Sequence, residues 1–136
     1  MDFLKQINEF IPPASFAVVC IGGFIAILRF WIEGRRQSQI MADELYQKYL
    51  ERAMDYPKLS WPADTIPSDE RYPWLVAIML NALAAQISCG PSADMRNALK
   101  ADLLVHRKYL DDKQFEDDGG WRLYPPALRT LYHKAV

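Results

Sequence analysis

Apolar residues are distributed unevenly along the 136-residue chain, and one early run stands apart from the rest. From Phe10 to Leu28 the sequence FIPPASFAVVCIGGFIAIL carries no charge. Its length, about 19 residues, is close to the ~20 that a helix needs to cross ~30 Å of hydrocarbon. The pattern lacks the basic start and the small-residue cleavage site of a signal peptide. It also lacks the polar face that a helix on a soluble core turns toward water. A transmembrane helix is therefore expected over residues 13–32, preceded by a short tail at 1–12 and followed by a helical body at 33–136. Pro12 and Pro13 suit a first helical turn, where the missing N–H has no intrahelical partner to lose.

Beyond the run, the periodicity changes to that of amphipathic helices. In residues 33–55, Met41, Leu45, Tyr49 and Ala53 fall at four-residue steps and, flanked by Ala42, Tyr46 and Leu50, predict an inward stripe, with Asp43, Glu44, Lys48, Glu51 and Arg52 opposite. Gly34 leaves open whether this helix continues the span. Four prolines between Pro57 and Pro73 exclude a long regular element there. Within that stretch Leu59, Trp61 and Ile66 are expected to pin the chain to the body, and Thr65 or Ser68 to cap a short turn leading into the next helix. Residues 73–88 are apolar on every side, which predicts the central helix of a small bundle, with Asn81 bonded to a neighbouring backbone group inside the core. Residues 92–110 predict an amphipathic helix capped by Ser92, with Met95, Leu99, Leu103, His106 and Leu110 inward. Pro125-Pro126 opens a final helix that turns Leu128, Leu131 and Tyr132 inward. The expected fold class is all-α: one N-terminal transmembrane helix followed by a cytoplasmic bundle of about four helices.

Charge sets the orientation and narrows the partners. Lys5 is the only basic residue of the tail, whereas Arg29, Arg35, Arg36, Lys48 and Arg52 come after the apolar run. The bias toward basic residues on the cytoplasmic side places the tail outside and the body within. Arg29, Trp31, Arg35 and Arg36 are the residues expected at the membrane interface, and Gly22, Gly23 and Ala26 form a smooth patch on which spans can pack. A net charge of −1 offers no general attraction for nucleic acid. The expected partners are the lipid bilayer and a protein, either a second copy or another chain.

Candidate chemistry is sparse. The acidic stretch from Asp111 to Gly119 resembles a calcium loop only loosely. Lys113 and Phe115 interrupt the alternation of ligands, and Pro125 stands where the closing glutamate belongs. It reads as a solvated loop. His106 shares a face with leucines and is expected in the core beside a backbone or tyrosine partner. Two histidines and one cysteine beyond the span do not make a zinc site, and a Cys89–His pair lacks an orienting group. Arg129 and His133 are spaced too closely for the arginine–histidine motif of HEPN-type ribonucleases. No cofactor, metal or catalytic residue is assigned, and the chain is read as a non-enzyme. The abundant aromatics Tyr46, Tyr49, Tyr56, Trp61, Trp74, Tyr109, Trp121, Tyr124 and Tyr132 are the better clue, with Tyr46, Tyr49, Trp61 and Trp121 expected on a partner-binding surface.

The spacing Tyr46-x-x-Tyr49-Leu50, Tyr72-x-Trp74-x-Val76, Leu80-Asn81-x-Leu83, Leu103-x-x-His106-x-x-Tyr109-Leu110 and Trp121 with Tyr124 is similar to that of certain small bacterial proteins. These are single-pass inner-membrane proteins with a helical cytosolic domain of unknown function. The resemblance implies a bacterial inner membrane and carries over no activity. The function expected is a membrane-tethered interaction or scaffold module that self-associates or recruits a partner. The alternatives are a membrane effector whose assembled spans perturb the bilayer, and an enzyme with a site near His106.

Overall fold

The computed structural model describes residues 13–62 and 65–136, with side chains from residue 18 onward. Helices account for all the regular structure among them. Helix α1 spans Pro13–Asp55 and passes through Gly34 without a break. A single turn, α2 (Pro57–Ser60), leads through the proline-rich segment to α3 (Tyr72–Ser88). Then come α4 (Ala93–Val105), the short α5 (Arg107–Leu110) and α6 (Lys113–Asp117), a 3₁₀ turn at Gly120–Leu123, and α7 (Pro126–Ala135).

The chain divides between Gln37 and Ser38, within α1. On the N-terminal side the described helix surface is apolar and uncovered. Each large apolar side chain from Val18 to Ile32 is at least 41% exposed. Among the described residues no helix is long and apolar enough to cross a membrane. The tail at 1–12 and the side chains of residues 13–17, the first part of the expected span, lie outside the described residues.

From Ser38 onward the chain is a helical bundle built on α3. Nine of its side chains are buried, among them Leu75, Val76, Met79, Leu80 and Leu83. Helix α7 packs against α3 and α4, burying Leu128, Leu131 and Tyr132 as the sequence predicts. The end of α1 contributes Ala42, Tyr46, Tyr49 and Ala53. All four belong to the expected stripe, and the correction is to its other members, since Met41 is 64%, Leu45 37% and Leu50 40% exposed. Four-residue steps advance 400°, so three of them drift about 120° around the helix, and Met41 cannot share a face with Ala53.

Two further expectations change. Asn81 is exposed and donates to the Ala77 carbonyl at 2.9 Å, while Gln86 is the buried amide of α3. Gln86 Nε2 donates to Asp43 Oδ1 at 2.8 Å, tying α3 to α1. The helix expected over 92–110 breaks at His106, whose carbonyl accepts from the N–H groups of Tyr109 and Leu110. Ser92 caps α4 as expected, accepting from the Met95 N–H at 3.2 Å. The turn leading into α3 is capped by Asp69 instead of Thr65 or Ser68: its carboxylate accepts from the Arg71 N–H and its carbonyl from the Tyr72 N–H, both at 2.9 Å.

Candidate interaction site

The bundle interior is held by rings. His106, Tyr72, Tyr109, Phe115, Trp121 and Tyr132 succeed one another with centroid separations of 5.1–5.7 Å. Such tilted and edge-on contacts suit the ring quadrupoles. Each tyrosine in this region must find a partner for its hydroxyl, and three find carboxylates. Tyr132 donates to Asp111 at 2.7 Å, Tyr46 to Asp102 at 2.8 Å and Tyr109 to Asp118 at 3.2 Å. Burial and the neighbouring carboxylates hold all three hydroxyls above their ordinary pKa, and burial pushes the Asp102 carboxyl up. The acidic stretch is therefore more than a solvated loop. Asp111 and Asp118 anchor core tyrosines, and Asp112 caps α6 by accepting from the Gln114 N–H at 2.8 Å.

This packing redistributes the expected partner surface. Tyr49 and Trp121 are buried, at 3% and 9% exposure, because the end of α1 and the 3₁₀ turn both face the core. They are removed from that surface. Tyr46 is half-buried and engaged by Asp102, leaving Trp61 as the exposed member at 72%. Gly22 and Gly23 face open space, and Ala26 is exposed on the same helix. Arg29, Trp31, Arg35 and Arg36 are exposed, and the Arg35 guanidinium stacks 3.9 Å from the Trp31 ring centroid.

A groove beside Trp74 is lined by three of the aromatics that the sequence offers as an interface clue, Trp74, Tyr109 and Tyr124, and by none of Tyr46, Tyr49, Trp61 and Trp121. Trp74 is 74% exposed although it belongs to the most buried helix of the bundle. It stands on the outer face of α3 with Ile78 and Asn81, while Tyr72, Leu75, Val76, Met79 and Leu80 turn inward. Across from it lies Leu123, 67% exposed on the 3₁₀ turn. Between them is a half-open groove of about 540 Å³ with Val76, Leu80 and Phe115 among its lining residues. Its charged lining residues are Glu70 and Asp118, with no lysine or arginine among them. A smaller hollow of about 240 Å³ also uses Trp74 and is lined by Arg52 and Arg71. Arg71 is engaged there by Asp69 at 2.6 Å and lies 5.0 Å from the Tyr56 ring centroid.

The wall carrying Leu123 depends on two glycines. Gly119 and Gly120 have φ of +113° and +55°, a backbone region that side chains rarely adopt. A Cβ on Gly119 would lie 2.6 Å from Leu123 Cδ1, and one on Gly120 would lie 2.7 Å from Glu116 Oε2.

Elsewhere the chemistry is thin. Among the described residues no group of three or more His, Cys, Asp or Glu is placed to hold a metal ion. Cys20 and Cys89 are both free thiols. Arg129 Nε donates to His133 Nε2 at 3.3 Å along one exposed face of α7. His106 is buried against Tyr72, as its place among leucines predicts. No protein family, curated protein or solved structure matches the chain.

Proposed function

We propose that this chain is a membrane-tethered interaction module. Its apolar N-terminal helix anchors it in a bacterial inner membrane, and its cytoplasmic bundle recruits a protein partner. The observation that carries the reading is Trp74, a large ring left 74% exposed beside an apolar groove on a bundle that buries Tyr72, Tyr109, Trp121 and Tyr132. Large rings of this kind dominate binding energy at protein interfaces. The tether is supported by the exposed apolar side chains from Val18 to Ile32, an uncovered surface that calls for an apolar environment. Arg29, Arg35 and Arg36 at the end of that run fit a cytoplasmic headgroup layer, and Trp31 stacked under Arg35 fits the interfacial zone. The open patch at Gly22, Gly23 and Ala26 suits a second copy of the helix.

Two measurements test the parts separately. Full-length protein expressed in bacteria should stay with membranes through carbonate extraction, and release into the supernatant would remove the tether. A photo-crosslinking amino acid at position 74 should give a discrete protein adduct in intact cells, and the same probe at the exposed Asn81 should give less. Absent adducts at both positions would remove the recruiting role.

A further inference from the structure

Resting on the recruiting role proposed above, we infer that the Trp74 groove takes a short apolar segment of a partner protein flanked by lysine or arginine. The argument is charge complementarity. The charged lining residues are both acidic, Glu70 at the start of α3 and Asp118 beyond α6. Glu116 adds a third carboxylate close by, its oxygens next to Gly120. Of the cations close by, Arg71 is paired with Asp69 at 2.6 Å, and Arg122, which donates to the neutral Gly119 carbonyl at 3.4 Å, keeps its charge but is outnumbered by the three carboxylates.

An apolar side chain entering between Trp74 and Leu123 meets Val76, Leu80 and Phe115, and gains by leaving water. Residues flanking it come to lie near Glu70 and Asp118. Acidic flanks would meet like charge there, and basic flanks opposite charge. Complementary rim charges of this kind act on encounter rate and specificity, and salt screens them. Arg52 in the hollow on the other side of Trp74 gives the surface a direction, since a basic segment is favoured on one side of the ring and disfavoured on the other.

The test uses the full chain in a neutral maltoside detergent, labelled with 5-fluorotryptophan. Its four tryptophans give separate fluorine signals, and the one from Trp74 is assigned by its loss in Trp74→Phe. Two probes are titrated, acetyl-Lys-Lys-Leu-Phe-Leu-Lys-Lys-amide and its analogue with glutamate in place of every lysine. The lysine peptide should move the Trp74 signal and leave that of Trp61 in place, and the glutamate peptide should bind about tenfold more weakly or not at all. Glu70→Lys, an exposed substitution checked for fold by circular dichroism, should weaken the lysine peptide about tenfold. Equal binding of both peptides, a shift confined to Trp61, or no shift at all overturns the inference. The crosslinking arm separates it from the broader reading. An adduct mapped to a neutral or acidic segment, or to a second copy of this chain, ends the basic-segment inference and leaves recruitment standing. Loss of all adducts ends recruitment itself.

Discussion

The Tyr72 hydroxyl lies 2.9 Å from Nδ1 of His106, with both side chains about 1% exposed, and this pair joins α3 to the break between α4 and α5. A neutral imidazole carries one proton, so one ring nitrogen donates and the other accepts. Nδ1 is satisfied by Tyr72, while Nε2 has no hydrogen-bond partner among the described residues. Protonation would place a charge on a ring cut off from water, and burial holds the His106 pKa down at about 4.

The sign of the pH dependence comes from that shift. The folded pKa lies below the unfolded value of 6.5, so the unfolded chain binds more protons between pH 6.5 and 4. Stability is therefore full above pH 6.5 and falls as the solution is acidified through this window. A shift of this size amounts to about 2–3 kcal/mol by pH 4, at ~1.36 kcal/mol per unit. Urea unfolding of the wild type from pH 7.5 to 4.5 should show this decline, and His106→Gln should show a flatter one. Equal slopes would mean that other groups carry the acid sensitivity.

A second expectation concerns the tyrosine–carboxylate pairs. Tyr46 donates to Asp102 at 2.8 Å, and burial already disfavours that carboxylate. Removing the donor leaves the charge with one partner fewer. Tyr46→Phe should cost about 1.5–3 kcal/mol, the range for hydrogen bonds to charged groups. Asp102→Asn should be milder, because an amide oxygen still accepts from the hydroxyl. Denaturant midpoints of the two variants give the comparison, and a harmless Tyr46→Phe would show the contact to be incidental.

Much of the bundle was legible in the residues because apolar periodicity and capping act locally. Ser92, Leu99 and Leu103 mark α4, and Pro126, Leu128, Leu131 and Tyr132 mark α7, each by the features that form it. What the sequence hid was which face of an almost wholly apolar helix turns outward. Asn81 was the available sign. It lies seven residues, or two turns, after Trp74, so an exposed Asn81 puts Trp74 outside as well. Placing Asn81 in the core as a buried amide conceals both the groove and the part played by Gln86. The tyrosine partners Asp102, Asp111 and Asp118 were hidden for another reason. They are fixed by tertiary approach across 9 to 56 positions of sequence, which periodicity does not report.

The two glycines after α6 should resist substitution. Gly119 and Gly120 both have positive φ, and an added Cβ at either position clashes with Leu123 or Glu116. The left-handed backbone alone costs about 1–2 kcal/mol for a residue with a side chain. Gly119→Ala should therefore lower stability by at least that amount, and it should also displace Leu123 from the groove. Thermal melts measure the first effect, and loss of the lysine peptide's shift at Trp74 measures the second. An alanine variant as stable as wild type would show that the turn can relax.

Trp74 and Trp121 make opposite predictions from the same residue type. Trp121 is 9% exposed and packs between Phe115 and Tyr132, with ring centroids at 5.4 and 5.1 Å. Truncation there removes a core ring, and Trp121→Ala should cost about 3–5 kcal/mol. Trp74 is 74% exposed, so Trp74→Ala removes little buried area and should stay within about 0.5 kcal/mol of wild type. Its effect should appear instead in partner capture, where loss of an aromatic anchor costs about 2 kcal/mol or more. Measured side by side, urea midpoints and crosslinking yields should separate the two tryptophans. If Trp74→Ala unfolded the bundle, the ring would belong to the fold and its exposure would have no bearing on recruitment.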